Sequence, residues 1–229
     1  MKKIGIVTIG QSPRADILPS MKEVLGEEVT ILERGALDEY TVQQVMKLER
    51  KEGEGLLVTR MRDGTEVKVS HSHVVPGVQK SIEELENEGV ELTLILCTGR
   101  FPPFKSAKLV VYPSDILRGA VSGAIKRGRL AIIMPGSDQL GSTGTRRTAG
   151  ADRPYGEEVE VIYDAASPYG PEKEVQQMAD RIAKKNVDLV FLNCMGFNSR
   201  HKQIVKQKTG KPVIQSNALI ARVLKELIS

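Results

Sequence analysis

The feature that most constrains the fold of this chain is an internal repeat of four sequence blocks, which occur twice and in the same order. One block carries both cysteines of the chain: VELTLILCTG (Val90–Gly99) aligns without a gap with VDLVFLNCMG (Val187–Gly196). Buried strands resemble one another, so a single match would mean little, but four matches in register indicate a duplicated structural unit. The other three pairs are GIVTIG (Gly5–Gly10) with AIIMPG (Ala131–Gly136), VTILERGAL (Val29–Leu37) with VEVIYDAAS (Val159–Ser167), and KLVVYPSDILRGAV (Lys108–Val121) with KPVIQSNALIARVL (Lys211–Leu224).

Apolar runs alternate with amphipathic helical stretches along both halves, a pattern typical of βα units and parallel sheets. The sequence therefore predicts an α/β fold with two pseudo-symmetric lobes, each a mostly parallel sheet flanked by helices. We expect residues 1–113 plus 217–229 to form the first lobe and residues 114–216 to form the second. The predicted strands are Lys3–Ile9, Val29–Glu33, Leu92–Cys97, Leu109–Tyr112, Arg129–Met134, Val159–Tyr163, Leu189–Cys194 and Val213–Gln215.

The first half contains an insertion, and the second contains a long polar loop. Two alternating runs flank Asp63-Gly64, which predicts a β-hairpin near residues 55–71 that flanks the site or forms a dimer contact. Residues 136–156 are rich in Gly, Ser and Thr and suggest a mobile loop of the kind that often serves as a lid. Two helix starts are also signalled: Ser12 as a cap followed by Pro13, and Pro171 at the start of the helix Pro171–Lys185.

Composition excludes several classes of function. The net charge is only +4, Lys and Arg alternate with acids, and there is no Trp, so we expect no nucleic-acid partner. No apolar run reaches the roughly 18 residues of a membrane span, so we expect no membrane contact. MKKIGIVTIG is interrupted by Gly5 and Gly10 and is interpreted as a buried first strand rather than a signal peptide, which favours a cytoplasmic protein.

Cys97 and Cys194 are the strongest catalytic candidates. Each ends a predicted strand, has a glycine two residues later and is expected to precede a helix. Ligands bind at the carboxyl ends of parallel strands, and a helix start can lower the pKa of a nearby thiol. Two thiols facing one ligand across a central cleft would suit a two-base proton transfer next to a carboxylate. The alternative is that both cysteines are simply small buried hydrophobic residues.

Other polar residues at strand ends are candidates for holding a substrate. After the first strand these are Gln11, Ser12 and Arg14, of which Arg14 suits a carboxylate. His201 is a candidate general acid or thiolate partner, in a basic helix start that suggests a nearby anion. The alternatives are that Ser12 is a helix cap and that Arg14 and His201 lie at the surface. The remaining candidates lie beside the cysteines, Thr98, Gly99, Asn193, Met195 and Gly196, or after the last strand of each half, Ser114, Ser216 and Asn217.

No metal or cofactor is expected. His71 and His73 would place two imidazoles on one face of a strand, but no third ligand is evident nearby. The glycines of GSTGTRRTAG lack the Gly-Lys-Ser/Thr ending of a phosphate loop. Arg146 and Arg147 in that segment would either meet an acidic ligand or be solvated charges.

Three segments carry a family resemblance: TIGQSPRAD (Thr8–Asp16), NCMGFNSRHK (Asn193–Lys202) and PVIQSNALIARVLKEL (Pro212–Leu227). Over essentially the full length, the chain resembles the AroM family of bacterial proteins, within the aspartate/glutamate/hydantoin racemase-like superfamily. The resemblance implies a racemase-like fold of two lobes with a small carboxylate or other anionic metabolite held between them. It also implies that the protein forms a homodimer. It implies no particular reaction, because the AroM family has no settled activity.

The chain departs from the true racemases beside both thiols. Those enzymes carry Cys-Asn-Thr and Cys-Thr-His, where this sequence has Cys97-Thr98-Gly99 and Cys194-Met195-Gly196. An Asp-Ser pair after the first strand is replaced by Gln11 and Ser12. Two hypotheses follow. One is a cofactor-independent racemase or isomerase that uses the cysteine pair, and the other is a non-catalytic metabolite-binding or regulatory protein that retains the racemase-like cleft.

Overall fold

The computed structural model describes residues 2–49, 51–140 and 155–229, which form two compact units. The first unit comprises Met1–Ser114 and Ala221–Ser229, and the second comprises Asp115–Ile220. Most of the predicted 136–156 loop, with Arg146 and Arg147, lies outside the described residues.

Each unit is built on a four-stranded sheet in which every neighbouring pair of strands is parallel, as predicted. One central strand of each sheet, Leu92–Leu96 or Leu189–Leu192, is buried along its whole length, as is typical of parallel sheets covered by helices on both faces. The strands are β1 Lys2–Thr8, β2 Val29–Gly35, β5 Leu92–Leu96, β6 Leu109–Val111, β7 Gly128–Met134, β8 Val159–Ala165, β9 Leu189–Leu192 and β10 Val213–Gln215, with β3 and β4 in the insertion described below. In the first unit the strand order is β2-β1-β5-β6, and in the second it is β8-β7-β9-β10.

The two sheets share their register as well as their order. Ile4 of β1 pairs with Leu92 of β5, and Leu130 and Leu189, which the repeat aligns with them, pair in the same way in the second unit. The other two strand pairs match too, with Lys2–Val29 and Gly128–Val159 as one equivalent pair and Thr93–Val110 and Val190–Val213 as the other. The sequence repeat therefore corresponds to a repeat of backbone hydrogen bonding.

The insertion in the first unit forms the predicted hairpin. Strands β3 (Leu56–Arg60) and β4 (Glu66–Ser70) are antiparallel, and Gly64 in the turn has a positive φ of 91° that suits glycine. The prediction that His71 and His73 lie on a strand is wrong, because the strand ends at Ser70 and a helix begins at His71. That helix buries Val74, Val78, Ile82 and Leu85, a helical spacing that overrides the short local alternation.

The helices flank the sheets, and one predicted start needs correction. Ser12 does not cap the first helix, which begins at Leu18 with Ile17 at its N-cap, and Ser12 instead bonds to a loop side chain. Pro171 does precede its helix, whose first turn carries Glu172 and Glu174 as predicted. The helices are α1 Leu18–Leu25, α2 Val42–Met46, α3 His71–Asn87, α4 Pro113–Ala124, α5 Glu172–Ala183, α6 Ser199–Thr209 and α7 Ser216–Leu227.

Candidate functional site

Cys97 lies immediately after β5, at the carboxyl end of the sheet in the first unit. Its side chain is buried, with 9% of the residue exposed, and packs in the hydrophobic core of that unit. The backbone N–H of Gly99 donates a hydrogen bond to the Cys97 sulfur over 3.3 Å. The prediction that a helix follows Cys97 is wrong, because residues 97–108 run without a helix to β6. A helix start therefore has no part in the environment of this thiol.

Cys194 has an equivalent setting in the second unit. It lies two residues after the end of β9 and is 7% exposed. The backbone N–H of Gly196 donates to the Cys194 sulfur over 3.4 Å. Hydrogen bonds to sulfur from backbone donors favour the anionic thiolate over the neutral thiol. Both halves of the chain thus supply the same donor, from the glycine two residues on, to their cysteine.

Polar side chains at the start of α7 brace the loop that carries Cys194. The Asn217 amide donates to the Met195 carbonyl over 3.0 Å, and the Ser216 hydroxyl donates to the Leu192 carbonyl over 2.7 Å. Gln215 bonds to both the Phe197 carbonyl and the Asn217 side chain. Ser216 and Asn217, which were predicted to contact a substrate, are therefore fully buried supports of the cysteine loop. Sequence reasoning missed Gln215, although its place at the end of β10 was a signal.

Asn193 and Met195 flank Cys194 in different ways. Asn193 is half-buried, and its amide contacts the Met134 sulfur over 3.4 Å while its backbone N–H continues the sheet to Ile133. Met195 is buried with 3% exposed. Asn193 is therefore better placed than Met195 to offer a polar group at this strand end.

His201 is not at the surface, where one interpretation of the sequence placed it. It is 7% exposed, and its Nδ1 accepts a hydrogen bond from the backbone N–H of Asn198, the residue that caps α6. The Asn198 side chain accepts from the His201 backbone in return, which completes a capping box. Burial lowers the pKa of His201, and the charge of Glu172 only partly opposes this. The neutral imidazole is therefore favoured, and its Nδ1 is occupied as the acceptor of a hydrogen bond at the helix start.

The anion expected beside the basic start of α6 is Glu172. Its carboxylate accepts from the Arg200 guanidinium over 3.0 Å, which joins the first turns of α5 and α6. The Arg200 hydrogen bond, together with its charge, lowers the pKa of Glu172. Part of the positive charge of this turn is thus paired with a carboxylate of the protein itself.

Tyr169 is a further residue near Cys194 that sequence reasoning missed. Its ring lies so close to Gly196 that a Cβ on that glycine would sit 2.6 Å from the tyrosine Cε1 and Oη. Tyr169 belongs to the irregular segment between β8 and α5, and its repeat position in the first half holds no aromatic residue. In the first unit the corresponding neighbour of Gly99 is Leu57, from the hairpin.

In the first unit, Gln11 and Ser12 are held by other loops. The Gln11 amide donates to the Leu37 and Tyr40 carbonyls, and its oxygen accepts from the backbone of Arg62. The hydroxyl and backbone N–H of Ser12 both donate to the Asp38 carboxylate over 2.7 Å. Sequence reasoning missed Asp38, which also accepts from the backbone N–H of Gly35.

Arg14 is buried rather than solvated, with 3% exposed. Its guanidinium makes a bidentate pair with Asp16, with both hydrogen bonds at 2.8 Å, and also donates to the Thr8 hydroxyl over 3.1 Å. Burial raises the pKa of Asp16, but the hydrogen bond and charge of Arg14 outweigh it and leave that pKa lowered. Asp16 therefore neutralises Arg14, which makes the predicted pairing of Arg14 with a substrate carboxylate costly.

The three remaining candidates lie at the same edge of the first sheet. Thr98 and Gly99 are half-buried directly after Cys97, and Ser114 is half-buried in the first turn of α4. Thr98, Gly99 and Ser114 stay predictions as substrate contacts.

The two histidines at the start of α3 belong to no metal-ligating cluster of the described residues. Within the described residues, no three His, Cys, Asp or Glu side chains lie close enough together to hold a metal ion. His71 and His73 each contact a backbone carbonyl, that of Arg100 over 2.6 Å and that of Glu49 over 2.8 Å. Among the helices in the described ranges, none has the length and hydropathy needed to cross a bilayer.

Comparison with protein-family models gives a match over nearly the whole chain. The family model described as AroM protein matches residues 4–228, nearly the whole chain. No curated protein sequence matches the chain.

Solved structures share the fold at low sequence identity. An aspartate racemase from Picrophilus torridus superposes with a TM-score of 0.54 at 13% identity, covering 99% of this chain and 94% of that one. A glutamate racemase from Bacillus anthracis gives 0.60 at 14% identity, with 99% and 81% covered. A maleate isomerase from Pseudomonas putida gives 0.58 at 13%, with 99% and 93% covered. The chain therefore has a racemase-like α/β fold.

Proposed function

This chain belongs to the AroM family, and from that premise we propose that it is a cofactor-independent racemase or isomerase acting on a small carboxylate through Cys97 and Cys194. The observation that carries the proposal is the matched pair of hydrogen bonds to sulfur. Gly99 donates its N–H to Cys97 over 3.3 Å, and Gly196 donates its N–H to Cys194 over 3.4 Å. A packing role alone would require no such donor at both equivalent positions.

The proposed reaction is a proton exchange at the carbon next to the carboxylate. The thiolate of one cysteine removes the proton, so that a C–H bond breaks and an S–H bond forms, and the electron pair moves into the carboxylate as an enediolate. The thiol of the other cysteine then delivers its proton to the opposite face of that carbon, which leaves it as the thiolate. The pair exchanges protonation states in each turnover, and the reverse direction restores them.

Backbone donors would make the thiolate available without a charged neighbour. Each sulfur lies in a core where burial alone disfavours an anion, and the glycine N–H offsets part of that cost. The bracing of the Cys194 loop by Gln215 and Asn217 holds the Gly196 N–H in place before substrate arrives. Thr98 and Asn193, half-buried beside the sulfurs, are the proposed contacts to the substrate.

Proteins of the same fold support this class of reaction. Three of the solved structures that match are described as aspartate racemase, glutamate racemase and maleate isomerase, names that refer to small carboxylates. The thiols of this chain lack the Asn-Thr and Thr-His neighbours of the racemases, so we propose the reaction class and leave the substrate to experiment. The homodimer implied by the resemblance stays a prediction, which sedimentation velocity would test.

The experiment is exchange of substrate protons with solvent deuterium. The full chain is incubated in D₂O with aspartate and with glutamate in turn, and loss of the Cα proton next to the carboxylate is followed by ¹H NMR. We expect exchange with at least one substrate, and a loss of at least about a hundredfold in racemisation or isomerisation for Cys97→Ser and for Cys194→Ser. Met195→Leu, which keeps side-chain volume beside Cys194, is the matched control and retains activity. Full activity in either serine variant would exclude the two-thiol mechanism.

A second function is favoured by the commitment of polar groups to the fold. His201, Ser216 and Asn217 each use their side chain in internal bonds, and Asp16 neutralises Arg14. A protein that binds a metabolite without turning it over would need no free acid or base at the thiols. Calorimetric binding of one of the tested carboxylates without proton exchange would favour this alternative.

A further inference from the structure

A second feature of the first unit lies outside the cysteine site. A pocket of about 750 Å³ opens between β3 of the hairpin and the first turns of α3, closed on a third side by the segment after Cys97. This volume lies within the range of roughly 300–1,000 Å³ that is typical of small-molecule sites. Five apolar residues line it: Leu56, Leu57, Val75, Pro76 and Pro102. The hairpin insertion therefore supplies one wall of this cavity.

Glu54, one of the two charged residues that line this pocket, has a hydrogen-bond partner within the protein. The Glu54 carboxylate accepts from the backbone N–H of Ser72, in the first turn of α3, over 2.9 Å. That backbone bond, with a further bond from the Ser72 side chain, lowers the pKa of Glu54. A carboxylate at a helix N-terminus is compensated by the unpaired amides and the helix dipole. Glu54 is thus engaged with the protein itself.

Arg100 is the second charged residue that lines this pocket, and its side chain is in a different situation from that of Glu54. Its backbone carbonyl is fixed by the His71 imidazole, whose Nε2 donates over 2.6 Å, and His71 also packs on Phe101 with ring centroids 4.6 Å apart. These contacts hold the Arg100 backbone at the pocket wall. Within the described residues, however, no carboxylate pairs with the Arg100 guanidinium, which is exposed at the pocket. Apolar walls with one uncompensated cation suit a ligand that has an apolar body and one negative charge.

We propose that this pocket binds a monocarboxylate with an apolar body, whose carboxylate pairs with Arg100 and whose body lies against Leu56, Leu57 and Val75. The proposal goes beyond the cysteine reaction, because it invokes neither thiol. It gives the hairpin insertion a ligand-binding role. The pocket also adjoins the Cys97 loop, since Leu57 is the residue that a Cβ on Gly99 would meet, at 3.0 Å.

The test uses ¹⁹F NMR of the full chain with two probes that differ only in charge. Transverse relaxation of 4-fluorophenylacetate and of the neutral 4-fluorophenylacetamide is measured as protein is added at pH 7. We expect the acid to bind roughly two- to fivefold more tightly than the amide, a range appropriate to an exposed guanidinium–carboxylate pair. Equal binding of the two probes, or no binding of the acid, would overturn the proposal.

Variants locate the site and separate it from the thiols. Arg100→Gln removes the preference for the acid, whereas Arg127→Gln, an exposed arginine in the second unit, retains it. Val75→Trp fills the pocket and weakens binding of both probes at least tenfold, with the fold checked by circular dichroism. Cys97→Ser and Cys194→Ser bind the probes as the wild type does, so failure of the cysteine mechanism would leave this result intact. An unchanged acid preference in Arg100→Gln, or undiminished binding in Val75→Trp, would place the probes elsewhere.

Discussion

Gly99 and Gly196 are equivalent residues that support equivalent sulfurs, yet their surroundings differ. A Cβ on Gly196 would lie 2.6 Å from ring atoms of Tyr169, whereas one on Gly99 would lie 3.0 Å from the end of the flexible Leu57 side chain. We predict that Gly196→Ala destabilises the fold by about 1–3 kcal/mol, because the tyrosine must move, and that Gly99→Ala costs less than about 1 kcal/mol. Urea unfolding of the two variants measures the difference.

The double variant Gly196→Ala/Tyr169→Leu is the control for that steric cause, because the smaller side chain makes room for the added methyl group. It should recover much of the loss relative to Gly196→Ala alone, after allowance for the cost of Tyr169→Leu itself. Similar destabilisation by Gly99→Ala and Gly196→Ala would contradict the asymmetry described here.

His201 should make stability depend on pH. Burial lowers its pKa in the folded protein below the ordinary 6.5, so the unfolded chain binds a proton that the folded chain resists. Stability due to this residue is therefore complete above pH 6.5 and falls as the pH drops below that value. We predict that His201→Gln, which can preserve the capping box without titrating, loses less stability between pH 7 and pH 5 than the wild type does. Parallel losses, measured by thermal unfolding at both pH values, would exclude this role.

We predict that the folded state depends on Asp16, because it neutralises the buried guanidinium of Arg14. Asp16→Ala leaves Arg14 charged and 3% exposed, and should cost about 3–5 kcal/mol. The double variant Arg14→Leu/Asp16→Ala removes the charge as well and should be more stable than Asp16→Ala alone. Denaturant unfolding decides the matter, and a double variant no more stable than the single one would show that the pair is not coupled.

At the level of residues, the sequence predicted the positions of both cysteines, but it did not predict the side chains around them. The repeat aligned Cys97 with Cys194, and continuous apolar runs predicted both at strand ends, because these are properties of local pattern. Tyr169, Gln215 and Asp38 were missed because their contacts join segments distant in the sequence, which no local pattern encodes. Arg14 was misjudged because a charged residue that follows a strand is usually exposed, whereas here it is 3% exposed and paired with Asp16.

The hairpin is the element that most distinguishes the first half from the second. Arg62 in its turn ties it to the loop after β1, donating to the Ser12 carbonyl over 2.6 Å and to Asp38 over 3.2 Å. We predict that Arg62→Gln lowers the hydrogen-exchange protection of the Ser12 amide, with a global cost below about 1 kcal/mol because Arg62 is about half exposed. Arg118→Gln, which removes an exposed pair with Asp115, is the control that leaves Ser12 unchanged.

The elements themselves were largely predictable. All eight strands of the two parallel sheets were predicted from apolar runs, within two residues at their ends, because strands of a parallel sheet flanked by helices are rich in apolar residues. The errors occurred where two periodicities overlap, or where a residue typical of helix caps makes a different hydrogen bond. Lys68 to His73 continue an alternation of two, while Val74, Val78, Ile82 and Leu85 already follow the helical period that packing selects. Ser12 has the chemistry of a cap but satisfies Asp38 instead.

For the whole molecule, the repeat explains more than sequence similarity alone would. Backbone bonds outside the strands recur as well: Ala36 donates to the Thr8 carbonyl over 2.9 Å, and the equivalent Ala166 donates to Met134 over 3.1 Å. Two copies of one βα framework therefore place equivalent residues at the carboxyl ends of equivalent strands. The hairpin and the Tyr169 segment are where the copies diverged, and each lies beside one of the two cysteines or its glycine.

The division of the chain into two units makes a prediction about its last nine residues. Ala221 and Leu224 are fully buried, Ile228 is nearly so, and the Lys2 ammonium donates to the Ile228 carbonyl, so this segment completes the first unit although it follows the second in sequence. Truncation after Ile220 removes two large apolar side chains, each worth about 2–5 kcal/mol when buried, against a total stability of roughly 5–15 kcal/mol. We expect hydrogen exchange of the β1 amides to rise toward unfolded rates while the β7 amides stay protected. Deletion of Ser229 alone is the control, and β1 amides that remain protected after the longer truncation would show that the first unit folds without its C-terminal segment.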